Sequence, residues 1–287
     1  MQFAWPFLPR SIASDTMFRS IAASLAAALV TCCAYGTVQR TPGPISFAVI
    51  GNTNPESPFD PVSPRVEAAL DAINQDNPLF AVHLGNIVYG GKDWMGVREN
   101  DLSRQFFEFF NLPPGRRLLL YTVKGDLDEF NGSPGLYMKY TGKNRYYSFD
   151  CGAIHFIVLD TTDPEAGTVG PAQMKWLSSE LERSRNSPAI IVMAHHALAA
   201  PGYQKSLSRA DLCKNADEVL ALISPHPVKA VFSGRSNAFS LEKRNGTLFV
   251  NAGCGGFNKS DQHSRAVQYY LVRFEHGTLY VTERRIN

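Results

Sequence analysis

Five short polar stretches, each closing an apolar run, hold the residues that could do chemistry. They are Gly51-Asn52-Thr53-Asn54, Gly85-Asn86, Gly125-Asp126-Leu127-Asp128, Ala194-His195-His196 and Gly234-Arg235-Ser236-Asn237. Carboxylate, imidazole and guanidinium groups in such a set can bind a metal, move a proton or hold an anion. The set is short of negative charge, because Asn52, Asn54, Asn86 and Asn237 offer only neutral amides beside Asp126. Other chemistries find less support. There is no G-x-S-x-G elbow, and Gly253-Cys254-Gly255-Gly256 lacks the strand-then-helix setting of a phosphate loop, so it reads as a tight turn. His83 and His155 lie inside strand-like runs and read as core or sheet-face residues; Asp128 reads as a brace for its own loop.

The elements that position these stretches follow from periodicity. Phe47-Ala48-Val49-Ile50, the run Phe80 to Leu84 and the run Leu118 to Lys124 predict three buried strands. Between the first two, Val66, Leu70 and Ile73 share one helical face behind Pro64, which gives a β-α-β start and parallel strands. The aromatic segment Leu102 to Leu112 predicts a core-facing helix, and Tyr146 to Gly152 with Ala153 to Asp160 an antiparallel hairpin. Helices are expected over Gly170 to Arg183 and Ala210 to Ile223, strands over Ala189 to Ala194 and Val228 to Ser233, and antiparallel strands over Thr247 to Asn251, Val267 to Glu275 and Thr278 to Arg284. The expected fold class is α/β, a two-sheet sandwich of mixed sheets flanked by helices.

Composition narrows the setting. The 287 residues carry a net charge of +2, which gives no basic excess for nucleic acid. Arg10 and Arg19 precede the apolar run Ile21 to Val30, and small residues follow at Ala34-Tyr35-Gly36. Residues 1–36 therefore read as a signal peptide or leader, and Leu29-Val30-Thr31-Cys32 also has the form of a lipoprotein signal. Residues 37–45 form a linker and 46–287 a single domain. The expected location is exported, periplasmic or extracellular, with membrane contact only through the leader or a lipid anchor. Cys151, Cys213 and Cys254 remain after such cleavage, an odd number with no C-x-x-C, and their spacing specifies no disulfide; Cys151 and Cys254 are expected as buried thiols.

The order and spacing of the five stretches resemble the calcineurin-like metallophosphoesterases, including the purple acid phosphatases, over residues 46–285. Secondary marks agree, among them Tyr147-Ser-Phe-Asp150, His155 to Thr161, Gln173 with Trp176-Leu177, and Asn251 to Gly256. The resemblance implies a phosphoester hydrolase with two metal ions, Fe, Mn or Zn. By position the first metal would meet Asn52, Asn54, Asn86 and Asn237; the second would meet Asn86, Asp126, His195 and Arg235. Amides are weak donors for such metals. A guanidinium about 4 Å from a divalent ion repels it by roughly 8 kcal/mol at an effective dielectric near 20. The family's general acid falls on Leu127, which transfers no proton. No cofactor is therefore expected, with Asp126 and His195 the residual metal candidates, and Arg235 is expected to pair with Asp126. The expected function is a degenerate family member that acts by binding, the alternative an active hydrolase with a reduced or shifted metal site. Arg235 and His195, with Lys124 and the amides, would form the rim of a site for an anionic or phosphorylated small ligand. The sequence names no protein partner.

Overall fold

Side chains alternate in direction along a strand, and in this chain the alternation decides which layer each residue joins. In β1 (Ile45–Ile50), Phe47 and Val49 point to one buried cluster and Ala48 and Ile50 to another. Both faces are covered, as a parallel strand requires. The computed structural model describes residues 44–198, 207–237, 239–252 and 267–286, all within one unit, Gln39–Asn287. The leader, all of the linker before Pro44, and Cys254 with its glycine-rich turn lie outside the described residues.

After β1 come α1 (Pro64–Asp76), β2 (Phe80–His83), α2 (Glu99–Asn111), β3 (Leu120–Thr122) and α3 (Gly135–Thr141). The hairpin β4 (Tyr147–Cys151) and β5 (Ile154–Val158) follows, then the two-residue strands β6 (Thr162–Asp163) and β7 (Thr168–Val169). Next are α4 (Pro171–Arg183), β8 (Ala189–Met193), α5 (Ala216–Ile223) and β9 (Val228–Ser233). The described chain closes with β10 (Phe239–Arg244), β11 (Thr247–Ala252), β12 (Val267–Glu275) and β13 (Thr278–Ile286).

Two mixed sheets result. One has the order β13-β12-β1-β2-β3, with β1, β2 and β3 parallel; the other has the order β10-β11-β9-β8-β5-β4, with β11, β9, β8 and β5 parallel. They pack face to face through Phe47, Phe80, Phe156, Met193 and Phe232. The Phe47 and Phe80 rings stack with centroids 5.3 Å apart, and Phe156 meets Phe80 edge-on at 5.4 Å. The outer face of the first sheet is covered by apolar residues of α1, α2 and α3, that of the second by α4 and α5. This is the expected helix-flanked α/β sandwich. Local signals explain element ends. Ser63 caps α1 by accepting from the Arg65 N–H at 3.3 Å, Pro64 stands in its first turn, and Asn77 ends it in left-handed backbone at φ +50°.

Four details differ from expectation. The stretch 210–223 is not one helix: Leu212 and Cys213 run beside Ala197 in a parallel bridge, with both Ala197 N–H and Cys213 N–H hydrogen-bonded across it, so the helix starts only at Ala216. β11 is antiparallel to β10 but parallel to β9. β10 and α3 carry too weak a periodicity to be read from sequence. Cys151 is half-buried rather than buried.

Candidate functional site

The strands β1, β2, β3, β8 and β9 end at one edge of the sandwich, where open α/β sheets place their ligand sites. Beyond the strand ends, main-chain hydrogen bonds go on tying neighbouring strands of the same sheet to one another. Asn52 N–H donates to Gly85 O and Thr53 N–H to Asn86 O; Gly234 and Arg235 N–H both donate to His195 O, at 3.0 and 2.8 Å. Asn52 and Asn86 sit in left-handed backbone at φ +52° and +59°, a conformation that asparagine tolerates better than most residues. Gly85 has φ +96°, and a Cβ there would stand 2.6 Å from His195 Nδ1. A Cβ on Gly125 would land on the Asn86 backbone nitrogen and side-chain oxygen. These two glycines let β2, β3 and His195 approach so closely.

At the centre is Asp126. Its Oδ1 lies 2.9 Å from His195 Nε2 and its Oδ2 3.1 Å from Arg235 Nη2. The Arg235–Asp126 ion pair expected from the two charges is thus present. Burial alone would raise the Asp126 carboxyl, but the hydrogen bond and charge of His195, with Arg235 and His196 adding, hold it well below the usual carboxylate range. His195 Nδ1 faces the Leu84 carbonyl at 2.7 Å. Both ring nitrogens therefore face protein oxygens.

Asp128 is fully buried and accepts four backbone N–H groups, from Asn86, Ile87, Val88 and Gly125, at 2.7–3.2 Å. It is the brace of the β2 and β3 loops. Burial nevertheless pushes its carboxyl up, against the pull of the Gly125, Ile87 and Val88 donors and of His195.

Two buried histidines flank the cluster. His83 accepts from Gly85 N–H at Nδ1 and meets Thr53 Oγ1 at 2.9 Å through Nε2; burial, then the charge of His195, pull it down to about 3. His196 meets Thr161 Oγ1 at 2.8 Å through Nδ1, and burial with His195 likewise pulls it to about 3. Thr53 and Thr161 were not singled out by the sequence, and a Thr beside a strand end carries no signal that would find them.

The amides divide. Asn52 Nδ2 donates to Arg235 O at 3.0 Å and to Asn237 Oδ1 at 3.2 Å, and Asn86 Oδ1 accepts from Leu127 N–H at 3.0 Å. Asn54 does not join them; its Nδ2 donates to the carbonyl of Pro55. The expected cationic rim needs correction. His195 is fully buried with both nitrogens engaged. Lys124 is 1% exposed and held by Thr162 Oγ1 at 2.6 Å and Glu129 at 2.9 Å. Of those three cations only Arg235, with 28% of its side chain exposed, reaches the surface.

No protein-family model matches the chain, and no curated protein sequence does. Solved structures match. A dimetal phosphatase from Danio rerio superposes with a TM-score of 0.62 at 14% identity, covering 84% of this chain and 99% of that one. A purple acid phosphatase from yellow lupin (Lupinus luteus) seeds has a TM-score of 0.62 and 14% identity; 85% of this chain spans about half, 52%, of its length. GAP50, the anchor in the inner membrane complex of Plasmodium, has a TM-score of 0.54 and 17% identity over 85% of this chain and 89% of that one. The fold is that of the calcineurin-like metallophosphoesterases.

Two of those metallophosphoesterase-fold neighbours are phosphatases, one of them dimetal, so the donors here must be tested against a divalent pair. Among the described residues no three His, Cys, Asp or Glu side chains gather as a metal site. The amide oxygens of Asn86 and Asn237 already accept hydrogen bonds, and the two ring nitrogens of His195 are engaged by Leu84 O and Asp126 Oδ1. Both Asp126 oxygens face cationic or donating groups. Asn52 Oδ1 is buried without a partner, but one neutral oxygen cannot hold Fe, Mn or Zn beside a guanidinium. The described residues do not fit a dinuclear centre.

Proposed function

We propose that this chain is an exported protein on a phosphoesterase scaffold in which an internal ion cluster stands where the metals would be, and that it acts by binding rather than by hydrolysis. One observation carries the reading: Asp126, the only carboxylate among the seven former ligand positions, is gripped at 2.9 and 3.1 Å by His195 and Arg235. A carboxylate held that way gives neither a bridging ligand nor a base, and Leu127 gives no acid. GAP50 lends support from the same fold, since it is an anchor. The leader over residues 1–36 directs the protein to the periplasm or outside the cell, where the open edge bearing Arg235 would meet a small anionic or phosphorylated ligand.

The test is metal content and turnover. The purified protein is expected to hold well under one equivalent of Fe, Mn or Zn and to leave a generic phosphate ester unhydrolysed with each metal added. Stoichiometric metal, with turnover abolished by His195→Ala, would establish a hydrolase with a reduced metal site instead.

A further inference from the structure

Two polar atoms at the candidate site have no partner in the protein although both are buried: the acceptor Asn52 Oδ1 and the donor Arg235 Nε. They belong to neighbouring groups, because the Asn52 amide nitrogen donates to the Arg235 carbonyl at 3.0 Å. The Asn52 amide cannot turn over to cure the fault. Its nitrogen already faces two acceptors, Arg235 O and Asn237 Oδ1, and a reversed amide would set oxygen against oxygen. The residue is 7% exposed, so solvent does not satisfy it. Leaving such groups unmatched is unfavourable, because each has given up its water without gaining a partner. Arg235 borders them on the solvent side, with 28% of its side chain exposed and its Nη2 on Asp126 Oδ2 at 3.1 Å.

We propose that Asn52 and Arg235 together select a small oxyanion that carries a hydroxyl. The charged oxygen accepts from Arg235 Nε–H, and the ligand O–H donates to Asn52 Oδ1. Inorganic phosphate or a singly protonated phosphate ester has that pair of groups, and so does a 2-hydroxy carboxylate. Sulfate and simple carboxylates lack the hydroxyl and would set a bare oxygen against the amide oxygen. The assignment rests on the binding reading above, since a metal would claim the same amide.

Calorimetric titration of the full exported protein with four probes tests it: phosphate against sulfate, and glycolate against acetate. In at least one pair the hydroxylated member is expected to bind about tenfold or more tighter, the scale set by one unmatched buried acceptor; which pair does so identifies the source. Asn52→Gly, which keeps the φ of +52° without strain, should bring the preference within about twofold, the residual expected once the acceptor is gone. Arg235→Met should weaken every probe. Equal binding within both pairs, a preference that survives Asn52→Gly, or no binding by any probe overturns the proposal. Metal analysis of the same sample keeps the two failures apart, because bound metal at one equivalent overturns the metal-free reading itself.

Discussion

Acid should destabilise this protein through two buried histidines. His83 and His196 are 0% and 1% exposed and are held neutral, with protonation pushed from 6.5 down to about 3. The unfolded chain takes up protons at both as pH falls through 6.5, while the folded chain does not until about 3. Their contribution is therefore fully present above 6.5 and declines steadily below it. Linkage gives about 2 kcal/mol lost per histidine between neutral pH and pH 5, about 4 kcal/mol for the pair. That is a large part of the 5–15 kcal/mol typical of a whole domain. Asp126, whose carboxyl is held low, adds its own loss only as pH falls below the ordinary carboxylate range, whereas Asp128, pushed up by burial, works in the opposite sense and above that range. Urea denaturation at pH 7, 6 and 5 reads the slope. His83→Gln keeps an amide able to reach Thr53 and removes one titrating group, so it should lose about 2 kcal/mol less than the parent over that interval. A parent as stable at pH 5 as at pH 7, or a variant with the same slope as the parent, would refute the assignment.

Four further substitutions probe the packing of the site. Asp128→Ala strands four buried N–H donors and should lower stability by about 3 kcal/mol or more; a loss under about 1 kcal/mol in urea denaturation would remove its role as brace. Gly85→Ala sets a Cβ 2.6 Å from His195 Nδ1 on a backbone at φ +96°, and should cost about 1–3 kcal/mol, visible as a lowered melting temperature. Asp126→Ala leaves His195 and Arg235 facing each other without a counter-charge, a loss of about 3 kcal/mol. Arg235→Ala leaves the His195–Asp126 contact intact and should cost less than Asp126→Ala in the same denaturation series; the reverse order would mean that Arg235, not Asp126, organises the cluster.

The sandwich was legible because each parallel strand is a continuous apolar run, and because each run stops at a glycine or small residue followed by polar side chains. Strand order puts those polar residues on one edge, so gathering Asn52, Asn86, Asp126, His195 and Arg235 needed no knowledge of contacts. What the polar groups do there was less legible. Lys124 looks like a rim cation in sequence, yet it follows Val123 into the interior and meets Glu129 and Thr162. Asn54 stands two residues after Asn52, but its side chain turns back to the Pro55 carbonyl. His195 is engaged by Leu84, 111 residues away in sequence, and a main-chain acceptor carries no residue type to read. The break before α5 has the same origin, since pairing with Ala197 is a backbone event.

A scaffold that brings five strand ends together must satisfy the polar groups that gather there, with or without ions. Metals would do so by drawing carboxylates and imidazoles inward. Here Asp128 takes four main-chain donors, His195 spans Leu84 and Asp126, and Arg235 supplies positive charge from the other sheet. A buried ion pair adds little net stability, but removing one partner is expensive. The cluster therefore acts as a constraint on register more than as a source of binding energy: shifting β9 by one residue would withdraw Arg235 and leave Asp126 with His195 alone. On this reasoning the edge is pre-shaped before any ligand arrives. The two groups still unmatched, Asn52 Oδ1 and Arg235 Nε, lie one on each sheet, so an occupant that satisfies both also ties the sheets together. Ligand binding should then raise the melting temperature of the whole sandwich rather than order one loop.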